Sequence, residues 1–224
     1  EDRLRQLVDE LPGQGHSYVV ADLAVERGVD AVADALQQHH VHLMVNNAGY
    51  SILQPFSDTT IEQQQKILAV NCTAVVSLAH AFLAQSRSGD ALINLASVVA
   101  YLPTPAQPMY SASKSFIAAL SECLWEEHRG RDVYVMGLCP GLTRTEFIGV
   151  ATDGEADGET MPDFMMQSSG QVIDAAMSAL ERRKKSIIIP GWFNRLALLL
   201  PRLLTRHRLI RAMAVAGDPE RMLK

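Results

Sequence analysis

Cysteine is scarce, with Cys72, Cys123 and Cys139 the only three in 224 residues. Their odd number, wide spacing and apolar surroundings argue against a disulfide framework or a cysteine zinc site, and suit a reducing cytoplasm. Positive charge is not in excess either. A net charge of -5 and a pI near 5.8 give no general case for nucleic-acid binding. No run reaches the eighteen or so uninterrupted apolar residues of a spanning helix. The opening Glu1-Asp2-Arg3-Leu4-Arg5 has no secretory-leader pattern. The expectation is a cytoplasmic protein, soluble or at most membrane-associated at the periphery. With 48% hydrophobic residues it is long enough for one sizeable core, hence one domain over 1–224.

What the sequence does have centres on Ser97 to Lys114. The apolar run Ala91 to Ala96 reads as a buried strand, and Ser97 stands at its carboxyl end, where open α/β sheets place ligands. Three prolines then exclude a helix until about Pro108. From Met109 to Glu127 a helix is expected, which puts Tyr110 and Lys114, at i and i+4, on one face. A phenol is a poor acid or base at neutral pH unless a nearby positive charge stabilises the phenolate, and Lys114 would supply it. Ser97 could hold a carbonyl or alkoxide oxygen while Tyr110 transfers the proton. Such chemistry suits carbonyl reduction or alcohol oxidation. Tyr-x-x-x-Lys alone more often means an exposed tyrosine beside a solvated lysine.

Here it does not stand alone. Asn46-Asn47-Ala48-Gly49 follows the strand-like run Val41 to Val45, Asn71 sits inside a long helical segment from Thr60 to Ser86, and Pro140-Gly141-Leu142-Thr143-Arg144-Thr145 follows the run Val133 to Leu138. Together, over about Asp22 to Thr145, these elements resemble the short-chain dehydrogenase/reductase family in its single-domain form. The resemblance implies a doubly wound parallel sheet, three-layered and Rossmann-like, and an oxidoreductase moving hydride between nicotinamide and a carbonyl or secondary alcohol. It implies Tyr110 as acid/base, Lys114 lowering its pKa and holding the nicotinamide ribose, Ser97 orienting the substrate oxygen, and Asn71 distorting its helix to support a proton relay. The cofactor site would comprise Asp22 and Leu23 at the adenine, Asn47, Ala48 and Gly49 along the cofactor, Tyr110 and Lys114, and Pro140, Gly141, Thr143 and Thr145 over the nicotinamide. The cofactor would be NAD or NADP, NADP slightly favoured on family grounds. A homodimer or homotetramer through the long helices is expected. Asp22 has a second reading as a helix cap before Val25 to Gln38, and Asn71 as a satisfied core amide.

Elsewhere, Glu1 to Leu11 has the spacing of an amphipathic helix, Tyr18 to Ala21 reads as a short buried strand, Gln171 to Arg183 as a helix and Ser186 to Ile189 as a last strand. Glu146 to Ser169 lacks periodicity, as expected of a lid over a substrate site. Its Met161, Met165 and Met166, with Phe147 and Phe164, suggest an apolar or adaptable substrate, though ordinary packing would use the same residues. The tail, 192–224, is basic and apolar. Between Trp192 and Val215 leucines alternate with Arg195, Arg202, Arg206, Arg208 and Arg211, a pattern that fits packing over the pocket, a second subunit or peripheral contact with an anionic membrane. Packing is the favoured expectation. His40 and His42 point to one side of a strand, but no third ligand is apparent, so no metal is expected.

One family element is missing. No glycine-rich turn opens a helix in this sequence, since Gly13 and Gly15 follow one. Omission of the first two strands would split the sheet at its centre. A further strand-helix-strand segment before Glu1 is therefore expected, carrying the residue that selects NAD or NADP. The rival readings are a catalytically inactive scaffold or regulatory protein, and a nucleotide-sugar epimerase or dehydratase, whose relatives usually carry a larger substrate domain.

Overall fold

A computed structural model describes residues 1–152 and 163–216. Its core is a parallel sheet of four strands in the spatial order β1 (Leu43–Asn46), β2 (Ala91–Leu95), β3 (Tyr134–Leu138) and β6 (Ile187–Ile188). Parallel neighbours need long crossovers, and helices supply them. Between β1 and β2 run α3 (Ile61–Leu68), a π-helical turn (Ala69–Ala74) and α4 (Val75–Gln85). Between β2 and β3 runs α5 (Pro108–His128), opened by a proline whose missing N–H is no loss in a first turn. Ahead of the sheet lie α1 (Asp2–Glu10), none of whose residues is buried, and α2 (Glu26–Gln38).

After β3 come β4 (Thr143–Arg144) and α6 (Phe147–Ala151), then β5 (Gln167–Ser168), which pairs with β4, and α7 (Ser169–Arg182). Among the described residues the tail has three helices: α8 (Trp192–Ala197), α9 (Leu200–Leu203) and α10 (Arg206–Ala216). Met161 and residues 217–224 lie outside the described residues.

The strands show why the layers form. Every residue of β3 is buried, as expected of a strand covered on both faces. On one side Met44, Leu92 and Val135 pack with Leu78 and Phe82 of α4 and Val29 of α2. On the other, Ile93, Tyr134 and Met136 pack with Val172, Ala176 and Ala179 of α7. Helices on both faces of a parallel sheet make the doubly wound, three-layer architecture expected from the sequence. Gly137 lets α5 approach β3, because a Cβ there would lie 3.2 Å from that of Ser121.

The segment Tyr18 to Ala21 is not a strand. It is irregular, with Val19 and Val20 exposed. Four apolar residues make a strand only if a neighbour pairs with their backbone, and among the described residues none does. Among the described residues β1 is therefore the edge of the sheet, with Leu43 and Val45 exposed.

Candidate active site

The site lies at the carboxyl ends of β1, β2 and β3. Ser97 leaves β2 in extended conformation and caps a short 3₁₀ turn, its Oγ accepting from Val99 N at 3.3 Å and donating to Pro140 O at 3.4 Å. It thereby ties the end of β2 to the loop after β3. Tyr110 stands in the first turn of α5 and Lys114 one turn on, and the lysine Nζ lies 5.6 Å from the tyrosine ring centre. Ser97, Tyr110 and Lys114 are therefore brought together as the spacing predicts. Phe147 at the start of α6 closes on the other side of the phenol, ring centres 5.6 Å apart.

Burial pushes the Tyr110 phenol up to about 12, while its hydrogen bond with Ser97 acts in the opposite sense. Burial pulls Lys114 down to about 8. For each group, removal from water is the leading cause of the shift. The Lys114 ammonium has three donors, and among the described residues one hydrogen-bond acceptor, Leu95 O, at 2.6 Å. Two N–H groups remain for a ligand.

Asn71 lies inside the π-helical turn, so the expected distortion of its helix is present. Its side chain has a definite task. Oδ1 accepts from Tyr50 N at 3.0 Å, and Nδ2 donates to Tyr50 O at 3.0 Å and to Ser113 Oγ at 3.1 Å. Ser113 in turn donates to Tyr110 O at 2.8 Å. The amide thus pins the turn after β1 to the helix that carries Tyr110. Gly49 sits against it, where a Cβ would lie 3.0 Å from Asn71 Oδ1 and 3.5 Å from Lys114 Nζ. Asn47 and Ala48 are exposed beside it, on the side open to a ligand.

Other candidates lie further out. Asp22 is exposed and its Oδ1 accepts from Ala24 N at 2.9 Å in the turn ahead of α2, but it is not the helix cap, since Val25 stands at that position with no side-chain cap bond; Leu23 packs into the core beside Val29. Thr143 Oγ1 donates to Gly141 O at 3.1 Å, and Thr145 Oγ1 accepts from Phe147 N at 3.3 Å. These threonine hydroxyls shape their own loop rather than face Tyr110.

Sequence reasoning missed Ser113, Gln167 and Asn194. Asn194, buried at the start of the tail, donates to Gln167 Oε1 at 2.8 Å and to Pro190 O at 2.9 Å. It fills the space beside Gly141, where a Cβ would fall 2.3 Å from its Oδ1. A serine or amide of this kind carries no sequence signal. One clue was Asn194 at an apolar helix position, the same clue that marked Asn71. His40 and His42 also gain a third partner the sequence did not reveal, the buried carboxylate of Asp90.

Residues 1–156 match the family model described as short chain dehydrogenase. Sulfoacetaldehyde reductase 2 of Chromohalobacter salexigens is 32% identical over 162 residues, covering 69% of this chain and 64% of that protein. A probable oxidoreductase EphD of Mycobacterium tuberculosis is 31% identical over 189 residues, covering 77% of this chain and 32% of that protein. The chain therefore spans less than two thirds of the length of either relative. A short-chain dehydrogenase from Sphingobium yanoikuyae in complex with NADPH superposes with a TM-score of 0.67 at 27% identity, covering 83% of this chain and 74% of that one.

Proposed function

The chain belongs to the short-chain dehydrogenase family, and from that premise we propose that it is an NAD(P)-dependent oxidoreductase acting on a carbonyl or secondary alcohol. The observation that carries this reading is the convergence of Ser97, Tyr110 and Lys114 at the end of β2, with the lysine ammonium buried and two of its donors unspent. When bound, the nicotinamide supplies or accepts the hydride. The residues present fit such a group: Asn47 and Ala48 are exposed along the turn after β1, Gly49 leaves room beside Lys114, and the ammonium can take ribose hydroxyls. Identity to the Sphingobium protein, a complex with NADPH, supports NADP.

In reduction Ser97 holds the substrate oxygen and Tyr110 gives it a proton; in oxidation Tyr110 takes that proton. Lys114 fixes the sugar and keeps a positive charge beside the phenol. Asn71 keeps the Tyr50 turn and α5 in register, so the base and the cofactor-facing turn move as one body. Phe147, Phe164 and Phe193 near the loop favour an apolar substrate, and the three free cysteines fit a reducing compartment.

Replacement Tyr110→Phe keeps the ring and removes the proton. Turnover should fall roughly a thousandfold with the folding transition unchanged, and an active Tyr110→Phe enzyme would overturn the assignment. The alternative is a catalytically inactive scaffold or regulatory protein. It predicts that the natural protein leaves NADH and NADPH fluorescence unaltered, whereas the enzyme reading requires enhancement by at least one of them.

A further inference from the structure

We propose that the tail helices α8 to α10 are a docking surface for an anionic phospholipid bilayer. The first ground is charge segregation. From Arg182 to Gly217 the sequence has nine Lys and Arg and no Asp or Glu, so a chain of net charge -5 carries -14 outside this segment. The second is exposure. Trp192 and Leu196 of α8, Leu199 in the turn after it, and Leu200 and Leu203 of α9 form one run of large apolar side chains. That run faces water, with Trp192 67% and Leu203 78% exposed. It does not lack an inner side. Asn194 and Leu209 fill the inward positions, so the packing reading accounts for these residues and leaves the leucines over.

The surrounding charges say what covers them. Arg195, Arg202, Arg206, Arg208 and Arg211 are exposed next to the run, long side chains that can lay their stems along apolar surface and lift their heads to phosphates. A tryptophan at the edge of such a run suits the headgroup boundary. Two copies pairing through this face by a two-fold axis would set its five arginines against five, and a nucleic acid offers nothing to the leucines. The helices are also short. The longest, eleven residues, spans about 16 Å, half of the roughly 30 Å hydrocarbon core, so the segment lies in the interface rather than crossing it. Phe193 carries the surface to the loop, packing against Phe164 at 5.4 Å.

The test is flotation of the purified full-length protein with phosphatidylcholine vesicles and with vesicles containing a third phosphatidylglycerol. Binding to the anionic vesicles at physiological salt, at least tenfold weaker on the neutral ones and lost in molar salt, is the expected result. Leu203→Glu changes an exposed side chain and should abolish flotation while circular dichroism and nucleotide binding stay unaltered. Absence of binding to anionic vesicles overturns the proposal. So does unchanged flotation of Leu203→Glu, or a variant that instead falls to a lower oligomer, which would make the face a subunit contact.

A separate observation lies at the opposite end of the sheet, and its geometry points to a divalent-cation site. His40 Nε2 and His42 Nδ1 stand 3.2 and 3.1 Å from the Asp90 carboxylate, and the three donor atoms lie within 4.8 Å of one another. Tetrahedral zinc with bonds of 2.0–2.1 Å needs donors about 3.4 Å apart, so the closing movement falls mainly to His42, whose side chain is exposed. Asp90 is 1% exposed and no Lys or Arg pairs with it among the described residues. A buried carboxylate in that position gains most from a cation. The site bridges the starts of β1 and β2, far from Ser97, so the ion would brace the sheet and take no part in the chemistry.

Tag-free protein titrated with zinc chloride should bind one equivalent at micromolar concentration and melt higher, reversibly with chelator. Asp90→Asn also loses the carboxylate that accepts from Arg87 N, so His42→Ala is the cleaner variant. It should keep the metal-free melting temperature and weaken zinc at least tenfold. No zinc uptake, or equal uptake by His42→Ala, overturns the site.

Discussion

Lys114 is a buried cation whose surroundings disfavour its charge. Burial lowers it from 10.5 to about 8, so between those values the folded chain binds fewer protons than the unfolded one, and stability rises with pH across that window. Below about pH 8 the buried cation costs roughly 3 kcal/mol. Loss of its bond to Leu95 O would cost about 1 kcal/mol in return. Lys114→Met should therefore be inactive yet more stable by about 2 kcal/mol at pH 7 in urea titrations. The gain should vanish as pH climbs toward 10.5; a variant less stable at pH 7 contradicts this account. Tyr110 carries a companion signature. Ser97 opposes the upward push of burial on the phenol, so Ser97→Ala should move the alkaline limb of alcohol oxidation to higher pH, read from kcat against pH. Both residues were legible because reaction chemistry dictates their types and spacing. Ser113 was not, since a serine three residues from a tyrosine is silent until folding shows what it faces.

At the scale of elements, Asn71 stood out in sequence as an indifferent helix former among apolar neighbours, and the π-helical turn and the bonds to Tyr50 give the reason. Asn71→Ala would strip the partly buried Tyr50 N–H and C=O of their partners, a loss of about 1–3 kcal/mol by urea denaturation, together with a fall in kcat. A stable, fully active variant would show the pin to be dispensable. The clamp between the tail and the loop after β3 was illegible, because it joins Gly141, Gln167 and Asn194 across distant segments. Gly141→Ala puts a methyl 2.3 Å from the Asn194 amide oxygen. It should cost about 1–3 kcal/mol and raise KM more than it lowers kcat, since the loop moves and Tyr110 does not. The failed strand at Tyr18 to Ala21 is instructive here too: apolar β-branched residues propose a strand, but pairing belongs to the neighbour, and periodicity does not contain the neighbour.

At the scale of the molecule, one apolar surface remains near the site itself. A groove of about 480 Å³ runs between α3, the π-helical turn and α5, lined by Leu68, Cys72, Val76, Ala112 and Phe116 among others. Leu68, Val76 and Phe116 are all exposed, which is unusual for three large apolar side chains on adjoining helices. Ser113, which links Asn71 to Tyr110, also lines it. A second copy seated there would cover the apolar side chains and stiffen the contact that aligns Tyr110, which fits the homodimer or homotetramer expected from the family resemblance. The groove is not strongly charged, so a two-fold contact meets no repulsion of the kind the tail face would. Phe116→Glu places a carboxylate on each side of that contact. Light scattering after size exclusion should show the mass per particle halved, and kcat should drop although Phe116 touches neither Tyr110 nor Lys114. A wild-type protein that is monomeric at micromolar concentration, or a variant that halves in mass with full turnover, would separate assembly from the alignment of the site.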